Sequence, residues 1–149
     1  MIEKIALGTV QFGLNYGIAN EKGKPTREEA FNILQHAFTL GIDTLDTAYS
    51  YGQSEEIIGD FISSRGKKFN VISKLPDMSG KDIDSADRYL SETLTRLKQD
   101  RLYAYLVHRF DNILASERLW HRLESLKQKG LTKKIGFSLY RPEELERLL

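Results

Sequence analysis

Short apolar runs alternate along the chain with longer stretches in which apolar residues recur at helical spacing, and this alternation predicts successive βα units on a parallel sheet. Ile5-Ala6-Leu7-Gly8 is the first strand-like run. After a Gly-rich loop, Pro25-Thr26-Arg27-Glu28-Glu29 opens a helix, with Thr26 as N-cap and Glu29 completing a capping box. Ala30, Ile33, Leu34, Ala37 and Leu40 give that helix one apolar face, and Gly41 closes it. A second strand runs from Ile42 to Asp46. Ser54 is expected to cap the next helix, whose apolar face is Ile57, Ile58, Phe61 and Ile62, with Gly66 at its end.

The same alternation continues. Asn70-Val71-Ile72-Ser73-Lys74 reads as a third strand, followed by a helix from about Asp84 to Gln99 with apolar positions Ala86, Leu90, Leu94 and Leu97. Leu102 to His108 is a fourth strand, Ser116 to Lys129 a helix ended by Gly130, and Lys134 to Ser138 a fifth strand. Pro142-Glu143-Glu144 then begins another helix at its first turn. Nearly five βα units are therefore present. They are compatible with the first part of a closed eightfold barrel, which takes about 250 residues, or with an open doubly wound sheet.

Composition narrows the chemistry more than the fold. The 149 residues are 40% hydrophobic and 29% charged, the makeup of one ordinary globular domain. With 22 basic and 21 acidic residues the net charge is +1, so no field favours nucleic acid or a membrane surface, and neither is expected as a partner. The absence of cysteine excludes disulfides and thiolate catalysis. No signal-like apolar run follows Met1 and no eighteen apolar residues are consecutive, so a cytoplasmic location is the default expectation.

Polar residues gather where the expected strands end: Asp46 with Tyr51 in the loop beyond it, Lys74, and His108. Parallel α/β folds concentrate their chemistry at those ends. Neighbouring strands lie about 4.8 Å apart, so the ends of strands two and four fall about 10 Å from one another and their side chains can share a pocket. Lys74 follows a buried apolar run, where an ammonium calls for a carboxylate, and Asp46 is the expected partner. A lysine cation beside Tyr51 is expected to lower the phenol toward a usable general acid, and His108 can bond the same reacting oxygen. The set holds a proton donor and a polarising group but no hydride source.

The segment Gly41-Ile42-Asp43-Thr44-Leu45-Asp46-Thr47-Ala48-Tyr49-Ser50-Tyr51-Gly52-Gln53-Ser54-Glu55 closely resembles a signature of the aldo-keto reductases, including the five-residue spacing from Asp46 to Tyr51. Val71-Ile72-Ser73-Lys74-Leu75-Pro76, Leu102 to His108, Lys129 to Ser138, and Gly8-Thr9 resemble further motifs of the family. The resemblance spans essentially the whole chain and implies the N-terminal portion, residues 1–149, of a single parallel (β/α)8 TIM-barrel domain. It implies Tyr51 as general acid tuned by Lys74 and Asp46, His108 orienting the carbonyl, and Gly8, Thr9, Asp46 and Ser138 binding the cofactor. NADPH would supply the hydride, and the partner would be a small aldehyde or ketone reduced to an alcohol. Two positions depart from the family pattern: Leu139 stands where Asn usually follows the serine, and Arg109-Phe110 follows His108 where many members have an aromatic residue or His and then Pro.

A half barrel exposes its sheet edges, so self-association through them is expected unless further strands are supplied. The alternative reading is a catalytically inactive half-barrel fragment, a βα module serving binding or assembly. No metal site is expected: His36 and His121 lie within helices among helix-forming residues, and their expected role is structural or solvent-facing. Gly8-Thr9-Val10-Gln11-Phe12-Gly13 has the wrong spacing for a dinucleotide fingerprint. The basic clusters Arg65, Lys67, Lys68 and Lys127, Lys129, Lys133, Lys134 read as a solvated turn and an exposed helix end.

Overall fold

The computed structural model describes residues 5–147. The chain runs β1 (Ala6–Gly8), α1 (Val10–Gly13), α2 (Arg27–Thr39), β2 (Thr44–Asp46), α3 (Ser54–Arg65), β3 (Asn70–Leu75), α4 (Ser85–Leu97), β4 (Leu102–Val107), α5 (Phe110–Ala115), α6 (Glu117–Gln128), β5 (Thr132–Phe137) and α7 (Pro142–Glu146). Every strand pair is parallel, and the order across the sheet is β1-β2-β3-β4-β5. That order decides the architecture. Right-handed crossovers between strands that follow one another in a single direction place every helix on the same face, whereas a doubly wound sheet reverses its order and is covered on both. The sheet is singly wound, as in a (β/α)8 barrel.

Burial along the strands records the same asymmetry. Leu45, Val71, Ser73, Leu75, Tyr105 and Val107 point toward the helices and are buried, with Ala30, Leu34, Ile58, Phe61, Leu90, Leu97, Leu119, Leu123 and Leu126 packed in the same core. The register sets Gly8 beside Asp46, Asp46 beside Ile72, Ile72 beside Ala104, and Lys74 beside Leu106. By the two-residue period these residues share the opposite face, where Gly8 is exposed, Asp46, Ile72 and Leu106 are half-buried, and Ala104 and Lys74 are buried. Strands β1 and β5 are each paired on one side only.

Local signals form the elements largely as expected. The Thr26 side chain accepts from Glu29 N–H while the Glu29 carboxylate accepts from Thr26 N–H at 2.8 Å, the reciprocal box that starts α2. Gly66 closes α3 with φ 62°, a left-handed conformation that glycine adopts without strain. The inward face of α2 is turned from the one its periodicity predicts: Ala30, Leu34 and Ala37 are buried and Phe31 and Phe38 pack against the core, while Ile33 and Leu40 are 42% and 49% exposed. Phe31 and Phe38 meet the rings of Phe61 and Phe69 edge-on, with centroids 5.4 and 5.6 Å apart, and take the inward positions predicted for Ile33 and Leu40. Strand five begins at Thr132 rather than Lys134 and stops one residue before Ser138. Helices α1 and α5 occupy stretches that carry no helical periodicity of their own. Among the described residues, no helix is long and apolar enough to cross a membrane.

Candidate active site

All four strand-end residues converge, Asp46, Lys74 and His108 because β2, β3 and β4 are adjacent and Tyr51 from the loop that follows β2. Lys74 lies near the end of β3, is 4% exposed, and donates from Nζ to Asp46 Oδ1 at 2.5 Å and to the Thr47 carbonyl at 2.8 Å. The expected Lys–Asp pair is present. Its low exposure makes the pairing necessary, since an unpartnered buried ammonium is costly. His108 follows β4 directly, and its ring meets that of Tyr51 edge-on, with centroids 5.6 Å apart at 78°. The Lys74 ammonium stands 5.2 Å from the Tyr51 ring centroid, so the Tyr51 ring neighbours both His108 and Lys74.

Electrostatics correct one expectation. Tyr51 is not lowered by Lys74: burial first, then the charge of Asp46 and the neighbouring Tyr140 and Tyr16, push its phenol up to about 12. The physical reason is that the ammonium is committed to Asp46 and the Thr47 carbonyl, leaving carboxylate and desolvation as the dominant influences on the phenol. Tyr51 is consequently a protonated donor at neutral pH. Burial, followed by the nearby Lys74 cation, holds His108 below the usual imidazole value, which leaves a neutral ring able to donate one N–H.

The loop bearing Tyr51 is fixed from beneath by buried hydroxyls. Thr9, Thr47 and Ser54 are all but inaccessible. Ser54 Oγ lies 2.9 Å from both the Thr9 carbonyl and Thr9 Oγ1, and accepts from Thr47 Oγ1 at 3.0 Å. Thr9 donates from both N–H and Oγ1 to the Asp46 carbonyl, each at 2.9 Å. Ser54 therefore does not cap α3 as expected. It is the first helical residue, Gln53 holds the cap position without a side-chain bond, and the serine hydroxyl instead joins the β1 loop to the helix. The Thr9 hydroxyl is likewise engaged inside the fold, where it ties β1 to β2.

Gly8, Asp46 and Ser138 stand at the ends of β1, β2 and β5. A β-carbon on Gly8 would meet only open space, and the Asp46 side chain is 35% exposed although it is paired. Ser138 N–H donates to the Val107 carbonyl at 2.9 Å, and by the strand period its side chain shares a face with Gly136, hence with Leu106 and Lys74. Gly8 leaves open space while Asp46 and Ser138 carry hydrogen-bonding groups, and Gly8 and Ser138 stand at opposite edges of the sheet with β2, β3 and β4 between them. Beside His108, a cleft of about 380 Å³ is lined by Ser50, Asp77, His108, Arg109 and Tyr140. Its outer wall is built by Asp77, which accepts from Ser79 N–H and Oγ and from Asn112 Nδ2 and pairs with Arg109. The side-chain cluster around Asp77 could not be anticipated, because Asn112 and Arg109 lie more than thirty residues from it.

Comparison with known proteins places the chain in a family. A family model described as "Aldo/keto reductase family" matches residues 4–149. An oxidoreductase of Bacillus subtilis, YqkF, itself described as uncharacterized, is 33% identical over 159 residues, covering 97% of this chain and 47% of that protein. An aldo/keto reductase structure from Brucella melitensis is 27% identical with a TM-score of 0.70, covering 96% of this chain and 52% of the other. A Klebsiella pneumoniae aldo-keto reductase in complex with NADPH shares the fold at a TM-score of 0.72 and 24% identity, with 96% and 48% coverage. The chain spans about half the length of the curated relatives it matches.

Proposed function

The chain belongs to the aldo/keto reductase family, and on that premise we propose that it carries the proton-transfer residues of an NADPH-dependent oxidoreductase that reduces an aldehyde or ketone to an alcohol. One observation carries the reading: the Tyr51 ring neighbours both the paired Lys74 ammonium and the neutral His108 ring at the ends of adjacent parallel strands. The Klebsiella pneumoniae aldo-keto reductase that shares this fold is in complex with NADPH, which supports a nicotinamide dinucleotide as the cofactor here. When bound, it supplies the hydride.

The protein's own residues handle the proton. A carbonyl oxygen seated where the Tyr51 and His108 rings meet would accept a hydrogen bond from the neutral His108 ring, which polarises the carbonyl. Tyr51, protonated at neutral pH, gives its phenolic proton to that oxygen as negative charge builds there. The phenolate left behind faces the Lys74 ammonium, which Asp46 and the Thr47 carbonyl keep in place. Gly8, Asp46 and Ser138 would hold the nicotinamide, with Thr9 fixing the Asp46 backbone beneath it. The singly paired edges of β1 and β5 are where further strands, or a second copy of the chain, would pair.

The test follows the near-ultraviolet absorbance of the reduced cofactor with a panel of aldehydes and ketones, using the full-length gene product. Turnover is expected, with Tyr51→Phe slowing it at least about a hundredfold while cofactor binding is retained. Wild-type turnover in Tyr51→Phe would refute the assignment.

A further inference from the structure

We infer that Arg96, in the outer helix layer, is a positioning residue for the proton donor: its guanidinium clamps the loop that carries Tyr51 against the strand that carries Lys74. The inference rests on the reading of Tyr51 given above. Arg96 forks between two carboxylates, Nη1 reaching Glu55 Oε2 at 3.1 Å and Nη2 reaching Glu92 Oε2 at 3.3 Å. Its Cζ lies 4.1 Å from the centroid of the Tyr49 ring. Tyr49 in turn donates its hydroxyl to Glu92 at 2.6 Å, and packs edge-on against Tyr89 with centroids 4.9 Å apart. One guanidinium thus binds two acids and an aromatic face at once, a geometry for which a planar fork is suited and a lysine is not.

The clamp reaches the site through two short connections. Tyr49 sits two residues before Tyr51, and its N–H donates to the Lys74 carbonyl at 3.1 Å. Glu55, fully buried on α3, also accepts from Ser73 Oγ at 2.6 Å and from Thr93 Oγ1 at 3.1 Å. Ser73 immediately precedes Lys74. Arg96 therefore grips the residues on both sides of the Tyr51–Lys74 contact, through Tyr49 on the loop and through Glu55 and Ser73 on the strand. Burial pushes the Glu55 carboxyl up, opposed by Ser73, Arg96 and Thr93. A carboxylate kept in this interior against that tendency must be held by its partners.

The packing of α3 on α4 is shaped to allow the clamp. Glu55 and Gly59 lie one helical turn apart on α3, and a β-carbon on Gly59 would stand 2.1 Å from the Arg96 carbonyl. Only glycine lets the helices approach closely enough there. The Arg96 side chain is 22% exposed, whereas the Glu55 side chain it binds is at 0%, so the arginine closes a buried acid from the outside.

The test measures kcat, KM, NADPH dissociation constant and Tm for Arg96→Met, Tyr49→Leu and Tyr49→Phe in the full-length gene product, beside Tyr51→Phe. Arg96→Met and Tyr49→Leu are expected to lower kcat at least tenfold, with KM and NADPH affinity within about twofold of wild type. Tyr49→Phe keeps the ring under the guanidinium and should retain most of kcat. If Arg96→Met does not fold, Tyr49→Leu decides, because it leaves the Glu55–Arg96 pair intact. Wild-type kcat in the folded variants, or a lower Tm alone, would overturn the clamp while Tyr51→Phe still abolished turnover. If Tyr51→Phe itself turned over normally, the proton-donor reading and the clamp would fall together.

Discussion

Gly13 and Tyr51 meet backbone to backbone: a β-carbon on Gly13 would stand 1.7 Å from the Tyr51 carbonyl oxygen. Gly52 approaches from the other side, at φ 54° and with its own β-carbon position 2.7 Å from the Gly13 carbonyl. The first loop and the Tyr51 loop are therefore packed without room for side chains, and the short α1 serves to hold that contact.

Gly13→Ala is expected to displace Tyr51 without touching any group that transfers a proton. The added methyl meets main chain, which cannot rotate aside. Turnover should fall by at least tenfold and stability by about 1–3 kcal/mol, measured by steady-state kinetics and urea unfolding. Unchanged kinetics would show that Tyr51 is placed by other contacts.

Asp46→Asn tests the pair at the centre of the site. It removes the carboxylate charge and leaves the buried Lys74 ammonium with neutral acceptors alone, the amide oxygen and the Thr47 carbonyl. Loss of one member of a fully buried pair costs about 3–5 kcal/mol. Because the Asp46 side chain is 35% exposed, a smaller loss of about 2 kcal/mol is expected here. The same substitution removes a charge that raises Tyr51, so ultraviolet titration should find the phenolate at a lower pH than the wild type's value of about 12. A Tyr51 titration that did not move would show that burial alone sets it.

His108 makes stability depend on pH in a definite direction. Its folded value lies below the ordinary imidazole value of 6.5, so as pH falls through about 6.5 the unfolded chain takes up a proton that the folded chain refuses. Stability is expected to drop from about pH 6.5 downward until the folded ring also titrates, and to be insensitive to this group above. His108→Gln should flatten that part of the profile. A profile unchanged by the substitution would contradict the desolvated placement of the ring.

Ser54→Ala removes a hydroxyl that contacts Thr9 and Thr47 in the interior. Stripping partners from buried hydroxyls costs about 1–3 kcal/mol, so unfolding should shift by that order. Ser54→Thr adds a methyl at a site with no exposure and should not restore the wild-type value. If Ser54→Ala were as stable as wild type, the hydroxyl network would not be what joins β1 to α3.

Much of this architecture is legible along the chain because its causes are local. The Thr26–Glu29 box, Gly66 at φ 62° and the alternation of apolar runs act over four residues or fewer, and the strand-end positions of Asp46, Lys74 and His108 follow from them. Other assignments failed where one residue type suits two roles. Ser54 has the chemistry of an N-cap, yet its hydroxyl is drawn 45 residues back to Thr9. The helices α1 and α5 are too short to announce themselves by periodicity.

What the sequence by itself determined is the order and kind of the elements, and which polar residues stand at the strand ends, since propensity, capping and two-residue alternation are properties of neighbouring positions. Only the tertiary structure decided how those residues behave. The strand order that excludes a doubly wound sheet, the direction in which Tyr51 is shifted, and the grip of Arg96 on Glu55 across 41 residues all depend on distances through space. Electrostatic and packing energies change over a few ångströms, and no local pattern in the chain encodes those separations.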